Sequence, residues 1–380
     1  MMNTSLSLFD KTLTLYQYPK ERQHKSWQAW DSADEYIIQH ITDNYVLTPN
    51  TRLAIFNDEF GALGCWFKDQ SIQWVSDSFI AQKAFEQNLA LNGFSPQSIN
   101  YIRSIETLTA PVDFVLLKVP KANALLEQQL IDLQKIVTNN TIVLAAGKAQ
   151  AIHKSTLALF EKYLGPTTTS LAKKKSRLIF CTPTGDRDHP SPYPTVWKQE
   201  QTNYTIHNLA NVFSRQQLDI GARFFLQHIP SCHNLDVIDL GCGNGVIGLN
   251  VLAQGDINSL EFVDESTMAI ESARLNVQRN MPEQEQLCTF TAGNCLAHIK
   301  QAKAGLVLCN PPFHQQNTIT EHIAKQMFSD AKRALRPRGE LRIVCNRHLG
   351  YFNVLKKHFG NCRVVASNKK FSILSAIKKG

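Results

Sequence analysis

The sequence predicts an α/β protein of two tandem domains related by duplication, each a largely parallel sheet with helices on both faces. Three observations carry that expectation. At 380 residues, 43% hydrophobic and 19% charged, the chain is long enough for two domains that each bury a core. Short apolar runs alternate with segments of helical periodicity through its second half. The same landmarks also recur in both halves at a slowly growing offset. Ser78, Ala81, Asn88 and Asn92 fall 188 residues before Ser266, Ala269, Asn276 and Asn280, and residues 114–121 fall 192 before 306–313. Gly165, Lys174 and Lys175 fall 195 before Gly360, Lys369 and Lys370. Loop insertions in a duplicated fold produce such a drift.

The first domain is expected over residues 1–185 and the second over 202–380. Between them, 186–201 reads as a linker, with prolines at 190, 192 and 194 and little apolar periodicity. In the second domain, 236–240 reads as a short strand, 246–253 as a helix and 260–263 as another strand. Ser266 then suits an N-cap, with Met268, Ile270 and Leu275 as apolar positions of the helix it opens. Residues 306–309 form a further strand, 321–335 a helix ended by Pro337 and Gly339, and 341–345 a strand. A parallel sheet of this kind binds ligands beyond the carboxyl ends of its strands.

Two strand ends carry chemistry-bearing residues. The first runs Val237-Ile238-Asp239-Leu240-Gly241-Cys242-Gly243-Asn244-Gly245. Alternate glycines permit positive φ and close backbone approach, and the helix that follows presents free N–H groups. Alone, such a loop is compatible with a tight turn or a dinucleotide site. Asp239 ahead of the glycines changes that balance, because a carboxylate there receives a cationic amino-acid end and repels a pyrophosphate. Asp264, at the end of the next strand, is placed to accept from ribose hydroxyls. An adenosine ligand with an amino-acid tail, S-adenosylmethionine, fits both.

The second strand end is Asn310-Pro311-Pro312-Phe313. In isolation this reads as a turn. Beside the glycine loop it reads as a holder for a planar amine, because the prolines fix outward-facing carbonyls, Asn310 adds a side-chain acceptor and Phe313 a stacking face. The first half has Lys118-Val119-Pro120-Lys121 at this place, and Asn57 to Gly64 where the second half has its glycine loop. Only the second copy is expected to do chemistry.

Charge is unevenly distributed. Residues 303–379 hold 15 Lys+Arg against 3 Asp+Glu, whereas 201–302 hold 5 against 10. A basic tail that begins beside the Asn-Pro-Pro-Phe element suggests a phosphate-rich partner, with a solvated helical face as the alternative. Lys332, Arg333, Arg336, Arg338, Arg347, Lys356 and Lys357 are candidate phosphate contacts, extended by Lys173-Lys174-Lys175. Nine scattered cysteines without a Cys-x-x-Cys pair suggest neither a disulfide framework nor a metal site. No apolar run reaches 18 residues and no signal layout opens the chain, so a cytoplasmic protein with no membrane partner is expected.

Asp-x-Gly-x-Gly-x-Gly, the acidic strand end and Asn-Pro-Pro-Phe together resemble the Rossmann-like class I S-adenosylmethionine-dependent methyltransferases. More narrowly, the chain is similar to bacterial ribosomal RNA guanine-N2 methyltransferases that carry a degenerate methyltransferase domain ahead of an active one. Residues 310–316, Asn346-Arg347-His348-Leu349 and 356–362 are most similar to the large-subunit members. The resemblance implies that Asp239, Gly241, Gly243 and Gly245 form the methionine-binding loop and that Asp264 holds the ribose. It puts Asn294 where many relatives place an Asp against adenine; a buried strand-end Asn without a ligand is the other reading. Asn310, Pro311, Pro312 and Phe313 become the catalytic element. The implied substrate is a guanine of large-subunit (23S) rRNA, protein-free or partly assembled, acted on by a monomer. Small-subunit (16S) guanine N2, adenine N6, protein glutamine amide and a non-catalytic RNA scaffold stay open as alternatives.

Overall fold

A computed structural model describes residues 3–22, 27–109, 111–312 and 318–380, with backbone alone at 22 and 318–321. It divides into two compact units, Met1–Pro192 and Tyr193–Gly380. The division falls inside the stretch expected to link them, and its last part is not a linker. Thr195–Lys198 is a strand, and Trp197 packs against the second core. The alternating, β-branched Thr-Val-Trp-Lys outweighs the prolines just ahead of it.

The first unit opens with an antiparallel hairpin, β1 (Ser5–Leu8) and β2 (Lys11–Thr14). Its sheet comprises β3 (Arg52–Phe56), β4 (Ser71–Ser76), β5 (Ile99–Arg103), β6 (Phe114–Lys118), β7 (Ile142–Lys148), β8 (Thr167–Thr169) and β9 (Ser176–Cys181). They run in the order β5-β4-β3-β6-β7-β9-β8, with β9 antiparallel to its neighbours. The second unit opens with the hairpin of β10 (Thr195–Lys198) and β11 (Thr205–Asn208). Its sheet comprises β12 (Asp236–Leu240), β13 (Ser259–Asp264), β14 (Cys288–Ala292), β15 (Ala304–Cys309), β16 (Leu335–Asn346), β17 (Arg363–Ser367) and β18 (Phe371–Ile377). The order, β14-β13-β12-β15-β16-β18-β17, repeats that of the first unit.

The recurring asparagines and serines have the same jobs in both units. Asn88 accepts from Tyr16 N–H and donates to the Tyr16 and Phe60 carbonyls, while Asn276 accepts from His207 N–H and donates to the His207 and Asn244 carbonyls. Asn92 and Asn280 bind the backbone of Thr14 and Thr205 likewise. Ser78 and Ser266 cap the helices Phe79–Leu91 and Thr267–Asn280 through the N–H groups of Ala81 and Ala269. Each asparagine therefore ties its hairpin to a helix, and a buried amide in that position meets all its partners at once.

The second sheet buries both faces. Phe262, Leu249, Val277, Leu306, Leu308 and Val344 fill one core; Ile238, Leu240, Val307, Cys309, Phe328 and Cys345 fill the other. Pro337 and Gly339 stand differently from expectation. The helix Thr318–Ala334 passes directly into β16, whose opening carries both residues and whose ladder with β15 is irregular between Ala304 and Leu306.

Candidate cofactor and substrate site

Asp239 is the fourth residue of β12 and is 1% exposed. The Gly248 N–H donates to its Oδ2 at 2.9 Å. Burial pushes its carboxyl up to about 7, the Gly248 N–H only partly offsets this, and the Asp264 carboxylate adds to it. Among the described residues no cation pairs with it. A buried carboxylate left so is ready for a cation brought by a ligand.

The loop after β12 keeps Gly241 and Gly243 at φ of +72° and +53°. A Cβ on Gly243 would meet nothing within 4 Å, so backbone conformation rather than space calls for glycine there. Asp264 shapes this loop, its Oδ2 accepting from Gly243 N–H and its Oδ1 from Ser266 N–H, each at 3.0 Å. Burial raises its carboxyl, and those two backbone donors work against the rise. Asn244 anchors the loop from inside, donating to Asn208 Oδ1 at 2.9 Å.

Asn294 follows β14 through Gly293 and is 8% exposed. Its Oδ1 accepts from Gln326 Nε2 at 2.9 Å. Asn310 is the first residue beyond β15, the strand beside β12. Its Oδ1 is buried and has no hydrogen-bond partner among the described residues. Pro311 is buried and Pro312 half-buried, while Phe313 lies outside the described residues.

The first unit fills the matching positions differently. Register pairs Ile55 with Leu116 as it pairs Asp239 with Leu308, so Ile55 stands at the strand position of Asp239, while Asp58, three residues on, accepts the Gly64 N–H at 2.8 Å as Asp239 accepts that of Gly248. Ser76 ends β4 where Asp264 ends β13. Lys118 ends β6 at the place of Asn310, its Nζ 2.9 Å from Asp31 Oδ1 and 2.8 Å from Asp34 Oδ2. Burial alone would lower its pKa, but Asp34 and Asp31 outweigh burial and hold it raised. An ammonium of the protein itself thus occupies that strand end.

Residues 3–185 match the family described as the RLMG N-terminal domain, and residues 203–375 match the methyltransferase small domain. The ribosomal RNA large subunit methyltransferase G of Pseudoalteromonas atlantica is 55% identical over 100% of both chains. That of Klebsiella pneumoniae strain 342 is 51% identical over 96% of each. The chain belongs to the ribosomal RNA large subunit methyltransferase G family. The T. thermophilus 16S rRNA N2 methyltransferase, solved in complex with AdoMet and guanosine, aligns with a TM-score of 0.76 over 99% of this chain and 98% of its own, at 18% identity, and shares the fold.

As a member of the methyltransferase G family, the chain is an S-adenosylmethionine-dependent methyltransferase, and the residues present fit that cofactor. Asp239 offers a buried carboxylate with no cation partner among the described residues, the glycine loop at positive φ offers close backbone approach, and Asp264 keeps lone pairs for hydroxyls. Three features of this methyltransferase G site escape sequence reasoning. Gly248 supplies the N–H that holds Asp239, Asn208 anchors the loop, and Asn346 carries a second buried acceptor without a partner. Two basic candidates, conversely, are engaged by the fold. Lys332 Nζ donates to the His358 carbonyl at 2.5 Å, and Arg333 binds Asp330 at 2.8 Å and the Leu296 carbonyl at 2.9 Å. In the first unit Lys174 pairs with Glu35 at 2.7 Å.

Proposed function

We propose that this chain transfers a methyl group from S-adenosylmethionine to the exocyclic N2 of a guanine in large-subunit (23S) ribosomal RNA, as a cytoplasmic monomer acting on protein-free or partly assembled RNA. When bound, the cofactor supplies an electrophilic methyl group on its sulfonium. Asp239 receives the cofactor's ammonium, Gly241, Gly243 and Gly245 let the loop backbone approach its amino-acid end, Asp264 accepts from the ribose and the Asn294 amide meets the adenine edge.

The guanine amine is a poor nucleophile because its lone pair is delocalised into the ring. Asn310 Oδ1 and the Pro311 carbonyl accept its two hydrogens, Pro312 fixes the turn, and Phe313 stacks on the base. Held so, the amine would present its lone pair to a methyl group supplied by the bound cofactor, which would leave as the neutral thioether while the N2 proton passes to solvent; this is catalysis by positioning and needs no strong base. The observation that carries the reading is the Oδ1 of Asn310, buried and without a partner among the described residues, an acceptor that a ligand N–H would satisfy. A base in structured RNA must leave its stack to reach such a site.

The two units, with one sheet order and one set of tethering asparagines, derive from a duplication. In the first, Ser76 stands at the place of Asp264 and the ion-paired Lys118 at that of Asn310, and its role is to position RNA. In the second, Arg347, His348, Lys369 and Lys370 line one open hollow suited to phosphates. No helix among the described residues is long and apolar enough to cross a membrane.

Incubation with labelled cofactor and separated 23S and 16S RNAs, followed by mass spectrometry of the nucleosides, tests this. N2-methylguanosine in 23S RNA is expected. Label confined to 16S RNA, or N6-methyladenosine as product, overturns the assignment. The second unit alone, Tyr193–Gly380, is expected to methylate RNA poorly, and full activity of that piece would remove the role given to the first unit.

A further inference from the structure

Among the described residues of the second unit, two side-chain carbonyl oxygens are buried without a partner, Oδ1 of Asn310 and Oδ1 of Asn346. They sit at the carboxyl ends of β15 and β16, which are adjacent and parallel, with Cys309 level with Ile343. Successive residues of a strand turn to opposite faces. Cys309 and Cys345 lie in one core, so Asn310 and Asn346, each the next residue along, turn to the other face with Leu308 and Val344. Asp239 turns the same way, because Ile238 and Leu240 on either side of it lie in the core with Cys309. The glycine-loop acid and both orphaned acceptors therefore share one face of the sheet at its carboxyl edge.

Asn346 stands two residues beyond Val344, the position level with Asn310, or about 7 Å further along the strand direction. It is firmly held. Asn346 pairs with Phe371 in the antiparallel β16–β18 ladder, and the Arg347 N–H donates to the Lys370 carbonyl at 3.1 Å. An acceptor kept dry and unpaired on a rigid strand has the character of a preorganised ligand contact.

We propose that Asn346 is a second acceptor for the target base: it takes the ring N1–H of guanine while Asn310 and Pro311 take the N2 amine, and it thereby selects guanine. The proposal rests on the guanine reading above. Guanine presents two neighbouring donors on its Watson–Crick edge, N1–H and the N2 amine. Adenine and cytosine place an acceptor nitrogen beside their amine, and an acceptor opposed to an acceptor is repulsive. A pair of fixed acceptors thus accepts guanine and rejects the other amine-bearing bases, as polar sites do when a substrate N–H is missing. Asn310 alone binds any planar amine, so the discrimination lies in Asn346.

The test uses the full-length enzyme and target RNA in which the guanosine it modifies is replaced by 2-aminopurine riboside, which keeps the amine but lacks the N1–H. The wild type is expected to favour guanosine over 2-aminopurine by about 100-fold in kcat/KM. Asn346→Ala is expected to bring that ratio within about threefold of unity, with calorimetric affinity for the cofactor unchanged. Asn346→Asp, which keeps an acceptor, retains the preference. Asn346→Val gives the same reading if the Ala variant fails to fold. A ratio unchanged in folded Asn346→Ala or Asn346→Val would show a structural role and overturn the proposal. A wild type that makes no N2-methylguanosine would instead overturn the guanine reading itself, so the two failures are distinguishable.

Discussion

Replacing Asp239 by Asn separates what the carboxylate does for the cofactor from what it costs the fold. Burial holds its pKa at about 7 in the folded chain, against an ordinary value of about 3.9 in the unfolded one. The folded state therefore binds the proton more tightly, and stability falls as pH rises from about 4 to about 7 and is level above that. At about 1.4 kcal/mol for each tenfold change in proton affinity, the difference sets a ceiling of about 4 kcal/mol. The amide introduced by Asp239→Asn would keep an oxygen for the Gly248 N–H, which donates to Asp239 at 2.9 Å, and carry no charge. The cofactor-free Asp239→Asn variant should accordingly gain about 2–4 kcal/mol at pH 8 and almost nothing at pH 4. For a unit of this size that is a rise of roughly 5–10 °C in Tm at the higher pH. Calorimetric melting across pH 4–8 measures it. The same variant should lose about 100-fold or more in cofactor affinity, because a desolvated charge pair is no longer made. Wild-type affinity should itself weaken by about tenfold per unit below pH 7, as Asp239 takes up its proton. A variant that melts lower than wild type at pH 8, or binds the cofactor equally well, would refute this account of Asp239.

Asn310→Ala should cut kcat by about 100-fold or more while leaving calorimetric cofactor affinity intact, because it removes one acceptor that orients the amine; undiminished methylation of protein-free 23S RNA would exclude Asn310 as that acceptor. Gly248→Ala would put a Cβ 2.2 Å from Phe262 Cε1 and 2.7 Å from its Cζ, and urea titration should show the second unit weakened. The expected loss is about 1–3 kcal/mol. Lys118→Met leaves Asp31 and Asp34 without their cation. The first unit should lose about 3–5 kcal/mol, and a loss under about 1 kcal/mol would mean the ion pair is not what fills that strand end.

The strand ends were legible because glycine, proline, Asn and Asp punctuate a chain for local reasons that survive any tertiary context. Asp239, Gly241, Gly243 and Gly245 needed only the turn chemistry of one loop, and Ser266 needed only the helix it caps. Asn346 was illegible for the opposite reason. Its interest depends on the register of β16 against β15 and on which face each residue meets, and neither is written in the neighbourhood of residue 346. Charge misled in a similar way, since a run of cations does not say which are engaged; Arg333 binds Asp330 three residues away as well as a carbonyl from a distant loop. The strand Thr195–Lys198 was hidden because prolines dominate the reading of their surroundings, although they end at the residue before it.

The paired units also separate what the fold requires from what the chemistry requires. Asn88 and Asn276 make the same set of hydrogen bonds, yet the site at the strand end differs, with Asn310 Oδ1 unpartnered among the described residues of one unit and Lys118 ion-paired in the other. Restoring a glycine loop to the first unit would not restore that site. Lys118, held by Asp31 and Asp34, sits at the place of Asn310, and Ile55 sits at the strand position of Asp239. Removing the lysine alone would leave the buried Asp34 without its cation, beside a half-exposed Asp31. The first unit thus differs at the strand end through a lysine tied to two carboxylates, Asp31 and Asp34, while its hairpin, helix and sheet order match those of the second.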